Sequence, residues 1–264
     1  MEEILITHMH LDHSGLAGWL ANKWDIEPHF TEKEFLETVK INNGMNDDQQ
    51  RIYLDYYKKC GYDEEAQLHF IERAKYRQSL ITKLGNSFQG LDDQQTVKLS
   101  DGPWKVIIAQ GHSPSHACLF SEEKNIFICG DVLLPRITPN VSVNPVYPDG
   151  NPLKEWLDSL KNIKQKIPED VLVLPSHGYP YKGAHARIET ILKNHHDKLN
   201  KIYENIDEPK TVVELFSVLF ESKINKHNIV LAVGETMSHL NYLVAESKLS
   251  KSIDKNGLYS FSRT

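Results

Sequence analysis

Thr7-His8-Met9-His10-Leu11-Asp12-His13-Ser14-Gly15 decides the reading of this chain. It follows Ile4-Leu5-Ile6, an apolar triplet that predicts a short buried strand. In an extended segment, residues two apart point the same way, so His8 and His10 are spaced to chelate one ion. Asp12 and His13 lie beyond the turn, where they reach toward a second ion. Four such side chains within six residues are costly in a loop with a purely structural task. Imidazole and carboxylate are ligands of zinc, and also of iron or manganese.

Three further pieces each close a predicted strand. Gln110-Gly111-His112-Ser113 follows strand 104–109, Gly130-Asp131 follows strand 126–129, and Ser176-His177-Gly178 follows strand 171–175. Taken singly, a histidine after a strand reads as a hydrogen-bonded surface residue. Their joint occurrence in this order is specific.

The set His8-x-His10-x-Asp12-His13, His112, Asp131 and His177 resembles the metallo-β-lactamase superfamily, most of all its glyoxalase II-like branch. The resemblance covers roughly residues 4–205. It implies an α/β fold, the αββα sandwich, and two divalent metal ions, zinc first, with iron and manganese as alternatives. It further implies that His8, His10 and His112 bind one ion, that Asp12, His13 and His177 bind the other, and that Asp131 bridges them. Asp12 and Asp131 are then the catalytic carboxylates. Two cations about 3.5–4 Å apart lower the pKa of water toward about 7, and the hydroxide attacks a carbonyl or phosphorus without a Ser or Cys nucleophile. Proteins of this kind carry several strands before the motif, whereas seven residues precede His8 here. The expectation is a start assigned too late or a fragment, with Ile4–Ile6 short of partners and the chain unstable alone.

The remaining elements follow from periodicity and turn signals. A helix is expected up to Trp24, a strand over 26–30, and a helix over 32–40 opened by a Thr31/Glu34 capping box. Residues 46–84 read as two helices around Gly61, with Tyr53 and Tyr57 on one face. Strands are expected over 96–99, 104–109, 117–120, 126–129 and 171–174, and helices over 153–166 and 184–205. This organises the chain as a catalytic domain over 1–206, with a helical insertion over about 32–86, and a module over 207–264. After Pro209 the order is helix, helix, helix and a hairpin at Asn256-Gly257. That module resembles the winged-helix tail of a superfamily branch that includes a lactamase-like endoribonuclease.

Charge argues against a nucleic-acid role for the tail. Residues 207–264 hold seven Lys/Arg and seven Asp/Glu, and the expected recognition helix over 233–247 carries Glu235 and Glu246 but no Lys or Arg. The tail therefore reads as a packing or dimerisation module, with a homodimer as the assembly it suggests. The whole chain of 264 residues has a net charge of -6, which likewise gives nucleic acid no support. No apolar run approaches the ~20 residues of a membrane span. Cys60, Cys118 and Cys129 lack close pairing and read as reduced, buried thiols, so a cytoplasmic location is the default.

Other polar residues receive separate readings. His116 is expected to support the site rather than to bind metal, and His195-His196 to be solvated on a polar helix. Tyr181, Lys182 and Arg187 follow His177 and either hold an anionic substrate group or form an ordinary helix start. The first functional expectation is hydrolysis of a small-molecule ester or thioester. The alternatives are a metal-dependent nuclease or phosphodiesterase, and a degenerate metal-binding scaffold without catalysis.

Overall fold

The computed structural model describes residues 1–62, 64–221 and 223–264. In chain order the elements are α1 (Leu11–Ser14), α2 (Ala17–Trp24), β1 (His29–Phe30), α3 (Glu32–Asn43), α4 (Asp47–Lys59), α5 (Glu64–Ser79), β2 (Gln89–Gly90), β3 (Thr96–Leu99) and β4 (Gly102–Ala109). There follow β5 (His116–Ser121), β6 (Ile126–Gly130), α6 (Pro152–Lys166), β7 (Leu172–Pro175), α7 (Ala184–Glu204) and β8 (Lys210–Thr211). A 3-10 turn (Val213–Leu215), α8 (Phe216–Leu219), α9 (Ile229–Ala245), β9 (Leu249–Ile253) and β10 (Tyr259–Arg263) complete the chain.

The contacts divide into two compact units built from separated segments, rather than by one cut between 206 and 207. The first comprises residues 1–44, 75–139 and 155–191, and the second 45–74, 140–154 and 192–264. The expected insertion is thereby split: α3 belongs to the first unit and α4 to the second.

In the first unit a sheet runs in the order β3-β4-β5-β6-β7, antiparallel except for the parallel pair β6–β7. Every residue of β5 is buried, as a central strand covered on both faces must be. Strands β4, β6 and β7 point the same way, so their carboxyl ends share one edge. Ile4–Ile6 makes a single parallel bridge, Leu5 to His29. His29 N donates to Ile4 O, Ile6 N donates to His29 O, and Ala117 N donates to Thr7 O. Ile4 and Ile6 are buried with Ala17, Phe30 and Phe35. This apolar anchor holds the chain immediately before His8.

Two expectations fail here for identifiable reasons. The loop after Thr7 closes into α1, because Ser14 Oγ donates to Met9 O at 2.8 Å and Ser14 N donates to His10 O at 2.8 Å. At Gly15 a Cβ would lie 2.5 Å from Leu11 O, so the turn closes only on glycine. The Thr31/Glu34 capping box does not form. Thr31 Oγ1 donates to Ser115 O at 2.8 Å, and Glu34 is drawn into the interior.

In the second unit Tyr53 and Tyr57 pack on Phe70, at 5.8 and 4.8 Å between ring centroids. A sheet in the order β8-β10-β9 takes β8 from before a single long helix, α9, and the hairpin β9–β10 from after it. The recognition helix expected over 233–247 does not start a separate element but is part of α9, along which ten residues are buried and hold it as one rod. Gly234 sits where the segment around Ser142 crosses that rod, and a Cβ there would meet Ser142 Cβ at 2.6 Å. Gly234→Ala is therefore expected to destabilise the second unit by about 1–3 kcal/mol, despite its better helix propensity. Denaturant unfolding checks this; a variant as stable as the parent would show that the crossing is loose.

Candidate metal centre

The shared sheet edge gathers residues far apart in sequence. His112 follows β4, Asp131 follows β6, His177 follows β7, and His8 to His13 run from the anchored N-terminal segment through α1. All seven expected residues meet there, in two clusters: His8, His10, His112 and Asp131, and beside them Asp12, His13 and His177.

In the first cluster His8 Nε2 lies 2.9 Å from His10 Nδ1 and 3.2 Å from His112 Nε2. Asp131 Oδ2 is 3.5 Å from His112 Nε2 and 3.8 Å from His8 Nε2. In the second, Asp12 Oδ2 lies 3.2 Å from His177 Nε2 and 3.5 Å from His13 Nε2. Asp131 Oδ1 faces this group, 3.5 Å from both His13 Nε2 and His177 Nε2. The two oxygens of one carboxylate are thus turned to different clusters. The first cluster is enclosed, whereas Asp12 and His177 are exposed at the surface.

Burial governs the electrostatics. Desolvation, reinforced by His116 and the neighbouring imidazoles, holds His8 far below the usual histidine range. Desolvation and then His112 bring His10 down to about 3. Both rings are neutral at pH 7, so their lone pairs are available to a cation. Burial pushes the Asp131 carboxyl up, but contacts with His112 and His13 outweigh it and hold the group below the carboxylate range. Two buried atoms, His13 Nε2 and Asp131 Oδ1, have no hydrogen-bond partner. Orphaned buried polar atoms are costly, and a divalent cation satisfies such a nitrogen and oxygen together. The His/Asp donor set therefore fits zinc-class ions.

Support comes from residues outside the ligand set. Thr7 Oγ1 and His8 Nδ1 hydrogen-bond at 3.1 Å, leaving Nε2 turned inward. His116 is fully buried, stacks on His8 at 4.7 Å between ring centroids, and accepts from Asp131 N at 3.2 Å. That is the supporting place expected for it. Gly130 makes it possible: its φ is +50°, and a Cβ there would lie 2.4 Å from the His116 ring.

Sequence reasoning missed Glu34. Its side chain is fully buried, and its carboxylate accepts from Met9 N, Ser113 Oγ and Ser115 N at 2.9, 2.7 and 2.6 Å. Burial raises its pKa, against the pull of those hydrogen bonds. The available signal, a Glu three residues into a helix, was the one that suggested a cap. Arg187 is engaged by backbone carbonyl groups. It donates to Leu134 O and Ile137 O at 2.8 Å each, and Tyr181 Oη donates to Leu133 O at 3.1 Å, so both fasten the segment after Asp131. Lys182 is exposed.

The solvated reading of His195-His196 holds for His196 only. His195 is buried, with Nδ1 3.1 Å from His239 Nε2. It falls on the stripe Ile188, Ile191, Leu199 and Ile202, whose helical spacing carried the signal.

The metallo-β-lactamase superfamily model matches residues 2–177. The chain belongs to this superfamily. Its αββα fold and its standing as a metallo-hydrolase follow from that membership. A model of the metallo-β-lactamase-like C-terminal domain matches residues 199–264. A probable metallo-hydrolase of Bacillus subtilis, YqjP, is 26% identical over 271 residues, spanning 98% of this chain and 80% of that protein. A β-lactamase domain protein from Burkholderia ambifaria superposes with a TM-score of 0.89 at 29% identity, covering all of this chain and 75% of its own. The metallo-β-lactamase family protein TTHA1429 from Thermus thermophilus gives 0.81 at 25% identity, covering all of this chain and 80% of its own. Among the described residues, no helix is long and apolar enough to cross a membrane.

Proposed function

We propose that this chain is a dinuclear metal-dependent hydrolase of a small ester or thioester. One observation carries the reading: Asp131 turns Oδ2 toward His8 and His112 and Oδ1 toward His13 and His177. His8, His10 and His112 would hold one cation and Asp12, His13 and His177 the other, with zinc as the first candidate. Divalent cations held there supply Lewis acidity to a substrate carbonyl and lower the pKa of water from 15.7 toward about 7.

The chain's own residues do the rest. Buried His8 and His10 stay neutral and keep their lone pairs for binding. His116 fixes the backbone at Asp131, and so fixes the direction of its carboxylate. Asp12, exposed beside His13 and His177, is placed to orient a water and accept its proton. Burial pushes the Cys118 thiol well up and the Cys129 thiol up to about 12, so neither competes as nucleophile. The balanced charge of the tail and the buried length of α9 leave it a packing element rather than a groove-reading one.

The test uses one metal-analysed preparation against a small thioester and a short RNA. Two metal equivalents per chain and thioester turnover are expected. At most one equivalent in excess zinc or manganese would refute the two-metal assignment. RNA cleavage without thioester turnover would move the substrate class to nucleic acid.

A further inference from the structure

Glu34 sits in the first turn of α3, yet it touches both loops that supply the imidazoles of the first cluster. Its Oε2 accepts from Met9 N, the peptide between His8 and His10. Its Oε1 accepts from Ser113 Oγ, next to His112, and from Ser115 N. A fully buried carboxylate is costly unless hydrogen-bonded, and here three donors converge on it. A helix-capping task does not explain it, because no cap bond forms at Thr31. The second cluster lacks such a tie from Glu34: Asp12 and His13 lie on α1 beyond Met9, and His177 follows β7.

Resting on the two-metal reading above, we propose that Glu34 is a positioning residue that clamps the His8–His10 loop to the His112 loop, and so sets metal affinity at the first cluster selectively. The chemistry is one-sided. A carboxylate offers two acceptor oxygens, whereas a glutamine offers one acceptor and one donor. In Glu34→Gln the amide nitrogen faces either Met9 N–H, which breaks that tie, or Ser113 Oγ and Ser115 N–H, where the hydroxyl can turn to accept but the backbone N–H cannot, so the tie to one of the two loops is lost or weakened. Changes to groups that orient metal ligands typically cost 10–100-fold in affinity.

Zinc binding to metal-free protein, measured by chelator competition, tests this. In Glu34→Gln one equivalent is expected to weaken by about 10–100-fold, with the other nearly unchanged. Placing Glu34→Gln on a His177→Ala background, which disables the second cluster, should preserve that loss in the remaining equivalent. On a His112→Ala background the loss should vanish. Equal weakening of both equivalents, or a lowered Tm with both affinities intact, would mean that Glu34 is merely structural and would overturn the proposal. Should Glu34→Gln fail to fold, Ser113→Ala removes one donor only; a smaller loss confined to the same equivalent is expected, and no loss overturns the proposal. A parent protein that binds fewer than two zinc ions sinks the two-metal reading itself. A parent with two ions and insensitive variants sinks only the clamp.

Discussion

Asp131→Ala is expected to abolish turnover while leaving the fold intact. Its carboxylate lies between four imidazoles, with Oδ2 toward His8 and His112 and Oδ1 toward His13 and His177. On the proposed two-metal reading, removing it would take away a group that faces both clusters and would leave two cations without the negative charge between them. Electrostatic stabilisation of several kcal/mol in the transition state is at stake, which corresponds to roughly a thousandfold or more in rate. Metal content should fall in parallel, because both clusters lose an oxygen. The backbone at this position is held independently, since Asp131 N donates to His116 and Ser176 N donates to Gly130 O. Circular dichroism and the melting of metal-free protein should therefore change little. Asp131→Asn should bind metal more weakly too, because an amide brings one oxygen and no charge. Near-parental rates with two retained metal ions would show that Asp131 does not bridge.

The second large effect concerns acid, and it lies away from the chemistry. His239 Nδ1 is 2.8 Å from Glu235 O, a carbonyl that only accepts, so the ring carries its proton there. Its Nε2 then accepts from His195 Nδ1 at 3.1 Å. Beside the pair, Lys198 and Glu235 form an ion pair at 2.9 Å. Burial first, then His239 and Lys198, brings the His195 pKa down to about 3; burial brings His239 down to about 4. Unfolded histidine titrates near 6.5. Both folded values are depressed, so the unfolded chain binds more protons between about pH 4 and 6.5. The stabilisation from neutral burial is complete above pH 6.5 and is lost as pH falls below it, by roughly 2 kcal/mol per histidine from pH 7 to 5.

All four tryptophans, at positions 19, 24, 104 and 156, lie in the first unit, so their fluorescence would not report this opening. Hydrogen exchange over α9 would. Its protection in metal-free protein should fall steeply between pH 7 and 5, after correction for intrinsic rates. His239→Gln should flatten that dependence by about half. Equal protection of α9 at the two pH values would refute the account.

The seven residues that gather at the sheet edge were legible as a group because metal chemistry restricts residue type and the resemblance to the superfamily restricts order. His8, His10, Asp12 and His13 stand together, and His112, Asp131 and His177 each follow an apolar strand that periodicity identifies. The sheet strands were legible for the same reason, their side chains being sorted by burial. The capping pattern at Thr31 and Glu34 misled, because local spacing reports what a helix end can do with its own side chains. It is silent on competing partners: Ser115 O took the threonine, and Met9, Ser113 and Ser115 took the glutamate. His195 misled similarly, since its polar neighbours outweighed an apolar stripe that was present in the spacing.

By itself, then, the sequence determined which groups are candidates for binding metal, in what chain order, and which segments are strands or helices. These are properties of residue type and of short-range periodicity. Tertiary structure alone decided which oxygen of Asp131 faces which cluster, that Glu34 joins a loop 25 residues before it to one about 80 residues after it, and that residues 45–74 pack with the C-terminal segment. Each of these depends on distances between parts of the chain that are remote in sequence, set by how the buried apolar faces come together, and no local pattern encodes such a distance.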